Sequence, residues 1–125
     1  MEATLETSEP HIERRQFPRL ASRAAVQFRS VLKSQEQFNG TLSKDLSSSG
    51  LCMTSDVFLP KDSRLILLVS LPGILRPVRL VCRVTWTQRQ RFADGYECGV
   101  EFVEMTPEDR QEIIHYVQRS RPLPS

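Results

Sequence analysis

Val78-Arg79-Leu80-Val81-Cys82-Arg83-Val84-Thr85-Trp86-Thr87 alternates with a period of two. Val78, Leu80, Cys82, Val84 and Trp86 face one side, while Arg79, Arg83, Thr85 and Thr87 face the other, the pattern of a half-buried strand. The same period recurs on both sides of this stretch. Upstream, Ala24, Val26 and Phe28 make a first strand. After a polar break from Lys33 to Gln37, Phe38, Gly40 and Leu42 suggest a hairpin into a second. Leu51, Cys52 and Met53 follow the turn-forming run Asp45-Leu46-Ser47-Ser48-Ser49-Gly50, and Leu65, Leu67, Val69 and Leu71 are cut off by Pro72-Gly73. Downstream of an Ala93-Asp94-Gly95 turn, Tyr96, Cys98, Val100 and Phe102 complete the set. Six short antiparallel strands are therefore expected.

The period changes at the end of the chain. Thr106 suits an N-cap, Pro107 the first helical position, and Asp109 a capping box. Ile113, Ile114 and Val117 form a helical stripe, and Arg119 and Arg121 suit the C-terminal end before Pro122. The expected class is all-β with a terminal helix: a six-stranded antiparallel β-barrel, closed to remove its edges, with a helix from about Pro107 to Arg119 over an opening.

Composition narrows the function classes. With 125 residues, 39% hydrophobic and 26% charged, the chain suits one soluble domain. The longest apolar run, Leu65 to Val69, is far shorter than the roughly 20 residues of a membrane span. No apolar segment of the signal-peptide kind follows Met1. Cys52, Cys82 and Cys98 are odd in number and lack Cys-x-x-Cys spacing, and His11 and His115 lie far apart. No metal site, disulfide framework or cofactor is expected, and a reducing cytoplasmic location is. No nucleophile constellation or Walker-type phosphate loop is present, so the expectation is a protein that is not an enzyme.

Charge is uneven. Residues 1–13 carry Glu2, Glu6, Glu9 and Glu13 with no Lys or Arg, and read as a flexible acidic leader. Residues 14–121 read as the single domain and 122–125 as a tail. Directly after the leader come Arg14, Arg15, Arg19 and Arg23, a candidate anion site. Pro18 keeps this segment out of a helix interior. An arginine fork matches phosphate oxygens and equally the O6/N7 edge of guanine. A second motif, Asp45-x-Ser47-x-x-Gly50, places Asp45 and Ser47 on one side of an extended approach. A carboxylate there can accept from guanine N1–H and N2–H2, and Gly50 permits a turn or a close approach. Asp and Ser also close turns by themselves, a purely structural role for the same residues.

The two motifs in this order, Arg14-Arg15-x-x-x-Arg19 and then Asp45-x-Ser47-x-x-Gly50, resemble the PilZ domain family. Gly99-Val100-Glu101-Phe102 is similar to that family's last-strand element, and the resemblance covers residues 13–119. It implies a six-stranded barrel with a C-terminal helix that binds the bacterial second messenger cyclic di-GMP. Arg15 and Arg19 would grip phosphates and guanine edges, with Arg14 adding a third fork. Asp45 and Ser47 would hydrogen-bond a guanine, and Gly50 would give backbone access. An arginine placed as Arg14 is implies two stacked ligand molecules per protomer. Some family members place a Trp near the guanines; Trp86 fits that role or a place in the core.

As a single domain, such a receptor would relay its signal by contact with an effector protein, in motility, biofilm or virulence control. Two other readings compete: a ligand-independent adaptor, and a small barrel binding single-stranded nucleic acid. The second needs a basic groove with stacking aromatics. With nine aromatics, most at inward strand positions, that platform is thin, and no DNA or RNA partner is expected.

Overall fold

The computed structural model describes residues 20–21, 23–33 and 37–120. The strands are β1 (Leu20–Ala21), β2 (Ala25–Ser30), β3 (Asn39–Leu46), β4 (Gly50–Ser55), β5 (Arg64–Ser70), β6 (Val78–Arg89) and β7 (Tyr96–Glu104). A 3-10 turn at Val31–Lys33 leads out of β2, and α1 (Pro107–Ser120) follows β7. The expected leader, Arg14, Arg15 and Arg19, and the tail lie outside the described residues.

Every pairing is antiparallel, and the circuit β3-β2-β5-β6-β7-β4 returns to β3, closing a six-stranded barrel. The short β1 is a separate piece of the first strand. It pairs Leu20 with Leu46 and Ala21 with Asp45, while β2 pairs with Asn39–Leu42 of the same strand. Where the two pieces part, Ser43 fills in: its amide donates to the Ala24 carbonyl and its hydroxyl accepts from the Ala24 amide.

Alternation places one row of each strand inside, as the sequence period requires. Val26 and Phe28, Leu65 and Leu67, Leu80 and Val84, and Val100 are all buried in one core. Ile113 and Val117 of α1 join it, so the helix stripe closes over the strands. The Thr106 hydroxyl accepts from the Asp109 amide at 3.1 Å, half of the expected capping box. The Asp109 carboxylate turns instead to β6, accepting from the Arg79 amide at 3.4 Å and lying 4.0 Å from Arg76. The residue that starts the helix thus also pins it to the barrel.

Candidate functional site

Two bulges shape the outer face beside β1. In β3, Lys44 is an extra residue between Ser43, opposite Met53, and Asp45, opposite Cys52. In β6, Thr85 is extra between Val84, opposite Val100, and Trp86, opposite Gly99. A bulge shifts every later side chain to the other face. Asp45 and Trp86, which strict alternation would send inward, both point out. Trp86 is 41% exposed, which corrects its placement in the inward row of β6.

The register then brings distant residues into one cross-strand row. Ala21 is opposite Asp45, Asp45 opposite Cys52, Cys52 opposite Gly99, and Gly99 opposite Trp86. By sheet spacing alone, Asp45 and Gly99 stand about 10 Å apart, with only Cys52 between them. The Asp45 carboxylate accepts from the Cys52 amide at 3.1 Å, which fixes its direction across the row. At the far end, Trp86 leans over β7: a Cβ on Gly99 would meet its indole Nε1 at 2.1 Å and Cε2 at 2.7 Å. The Thr85 hydroxyl donates to the Gly99 carbonyl at 3.1 Å, tying the bulge to the same point.

Ser47 and Gly50 are placed by the turn between β3 and β4. Ser47 is buried, and its hydroxyl accepts from the Ser49 and Gly50 amides at 3.2 Å each. It also lies 3.2 Å from the Gly50 carbonyl and from the Ser49 hydroxyl. The simple same-side picture of Asp45 and Ser47 therefore does not hold: Asp45 faces out from the strand, while Ser47 holds the turn from within. Gly50 lies against β7, where a Cβ would approach the Val100 carbonyl oxygen to 2.2 Å. Its missing side chain is required by a neighbouring strand, a demand separate from any ligand.

Electrostatics around the row are mixed. Lys44 pairs with Glu97, and that hydrogen bond holds its ammonium above the ordinary range despite opposing desolvation. Repulsion from Arg23 acts on Lys44 in the opposite direction, as its weakest influence. Burial pushes the Cys52 thiol up to about 12, with Glu97 and Asp45 adding to the rise, so the middle of the row is neutral. Next to the row, Lys44, Arg89, Arg91, Phe92 and Glu97 are among the residues lining a hollow of about 520 Å³. Asp45, Ser47, Gly50 and Trp86 are not part of its lining.

Sequence reasoning missed Lys44 and assigned Gly99 no role. Lys44 carries no signal, because a bulge leaves no trace in composition. Gly99 does: a glycine inside a strand pattern marks a close approach. Among the described residues, no cluster of three or more His, Cys, Asp or Glu could hold a metal ion. Nor is any helix among them long and apolar enough to cross a membrane.

The barrel has counterparts among solved structures. The inhibitor of motility MotI/DgrA of Bacillus subtilis matches with a TM-score of 0.72 and 21% identity, over 84% of this chain and 50% of its own. The chain thus spans about half the length of that protein. The PilZ domain of YcgR from Escherichia coli, solved with c-di-GMP, matches with a TM-score of 0.64 and 14% identity, over 85% of this chain and 92% of its own. The K. pneumonia MrkH–c-di-GMP complex matches with 0.64 and 16%, over 83% and 51%. Among curated proteins, none matches. The PilZ domain model itself matches residues 13–119 of the 125, from the edge of the arginine motif to the last turn of α1, and the chain belongs to the PilZ domain family.

Proposed function

We propose that the chain is a non-catalytic receptor for cyclic di-GMP, held between the arginine segment and the outer row of the barrel. The observation that carries this reading is the pairing of Leu20 with Leu46 and of Ala21 with Asp45. It ties the chain immediately after the arginine motif, at Leu20 and Ala21, to the strand that bears Asp45. In this reading Arg15 and Arg19 take phosphate oxygens and guanine edges, and Arg14 supports a second ligand molecule. Asp45, its direction fixed by the Cys52 amide, is the acceptor for the guanine N1–H and N2–H2. Ser47 acts chiefly by holding the turn that presents Asp45, and Gly50 by letting that turn close against β7. Trp86 offers its indole to a base. Residues 14–121 form the domain, residues 1–13 precede it as an acidic leader, and an effector protein reads the liganded surface. The free thiols of Cys52, Cys82 and Cys98 suit a reducing cytoplasm.

Calorimetry with cyclic di-GMP tests this directly. Loss of a hydrogen bond to a charged group costs roughly 1.5–3 kcal/mol, about 10- to 150-fold in affinity. Arg19→Ala and Asp45→Ala should each weaken binding by that factor and leave the barrel folded. Cyclic di-AMP, whose bases lack the N1–H and N2–H2 donors, should bind more weakly than cyclic di-GMP to the wild type. Saturation at two ligands per protomer, falling toward one in Arg14→Ala, is expected. Full-strength binding by an Arg15→Ala/Arg19→Ala variant would remove the site. The hollow with Arg89, Arg91 and the exposed Phe92 supports one other reading, single-stranded nucleic acid. An oligonucleotide binding as tightly as cyclic di-GMP would favour it.

A further inference from the structure

The chain has one tryptophan, and the structure spends no core volume on it. The Thr85 bulge turns Trp86 outward, and the indole then crosses to the neighbouring strand. The three atoms nearest to a Cβ placed on Gly99 are all in its five-membered ring, at 2.1, 2.7 and 2.8 Å. No side chain larger than hydrogen at position 99 is compatible with this seat. Beyond Gly99 in the row lies Cys52, small and nearly covered, and then the anchored carboxylate of Asp45. A planar base on the indole would lie on the same outer face as that acceptor, about two strand spacings along the row from it.

We propose that Gly99 is a positioning residue for ligand binding: its bare backbone seats the Trp86 indole over β7, so that a purine stacks on the ring within reach of Asp45. The inference rests on the cyclic di-GMP reading above and adds to it a residue that touches no ligand. Thr85 supports the same seat through its bond to the Gly99 carbonyl.

Fluorescence of the sole tryptophan reports on this seat with and without ligand. The proteins to compare are the wild type, Gly99→Ala, Trp86→Ala and the double variant, each titrated with cyclic di-GMP by calorimetry, with emission and acrylamide quenching followed where Trp86 is present. Loss of one base–aromatic stack corresponds to about 5- to 150-fold in affinity. Trp86→Ala should show a loss in that range, and cyclic di-GMP should shield the wild-type indole from acrylamide. Gly99→Ala should shift the emission of the unliganded protein and weaken binding comparably. In the Trp86→Ala background the same Gly99→Ala change should be neutral. If Gly99→Ala alone does not fold, recovery of the fold in the double variant supports the seat, and the Trp86→Ala titration carries the ligand part. Unchanged emission and affinity in Gly99→Ala, an equal loss in both backgrounds, or full-strength binding by Trp86→Ala would each overturn the inference while wild-type binding stands. A wild type that does not bind cyclic di-GMP would overturn the receptor reading itself, and the platform with it.

Discussion

Gly50 pairs with Glu101, and the nearest atom to a Cβ placed on it is the Val100 carbonyl oxygen, part of a strand that cannot swing aside. Gly40, also in a strand, has open space around the same position. Overpacking a close backbone approach costs typically 1–3 kcal/mol. Gly50→Ala should therefore lower the urea midpoint by an amount equivalent to about 1–3 kcal/mol, while Gly40→Ala leaves it nearly unchanged. The motif Asp45-x-Ser47-x-x-Gly50 drew attention to the right positions from sequence. What each does there was not legible, because the partner that constrains Gly50 lies fifty residues downstream. Ser47 is similar: its turn role was one of two open readings, and only the burial of its hydroxyl identifies what it holds.

Elements were read most reliably where one period ran unbroken. The inward rows of β2, β5 and β7 follow the apolar positions of the sequence, and α1 begins at Pro107 as its capping pattern requires. Alternation failed in β3, where Gly40 and Leu42 of the expected row are exposed and Ser43 is buried, and at the bulge in β6, which inserts a residue without any change of composition. The second failure falls on the candidate site, since a bulge is what re-aims a side chain from core to surface. The start of α1 offers a graded test. Thr106→Ala removes one cap bond and should cost about 1 kcal/mol. Asp109→Ala keeps that cap bond, which its backbone amide makes, but removes the carboxylate that serves the part-buried Arg79 amide and stands near Arg76, and a lost partner for such a group costs about 1–3 kcal/mol. Chemical denaturation should rank Asp109→Ala as the more damaging of the two.

Across the whole molecule, burial pushes Cys52, Cys82 and Cys98 from 9.0 up to about 12. A group whose folded value is raised contributes stability that is present below its unfolded value and lost as pH rises toward the folded one. Between about pH 9 and pH 12, each thiol should therefore remove up to about 1.4 kcal/mol per pH unit. The urea midpoint of the wild type should fall over this window, and Cys82→Val should flatten the fall; identical slopes would refute the assignment. The split first strand has a different whole-molecule consequence. β1 contributes only two paired residues, yet it covers the one stretch of β3 that β2 does not reach. With β1 lifted away, Asp45 and Leu46 would present open backbone donors and acceptors, a template on which another chain could add a strand. Natural sheets deter such templating with charge, and here the charge is supplied by Asp45 and its neighbour Lys44. The carboxylate assigned to ligand recognition would then also act as a gatekeeper against self-association, so its removal bears on solubility as well as on binding.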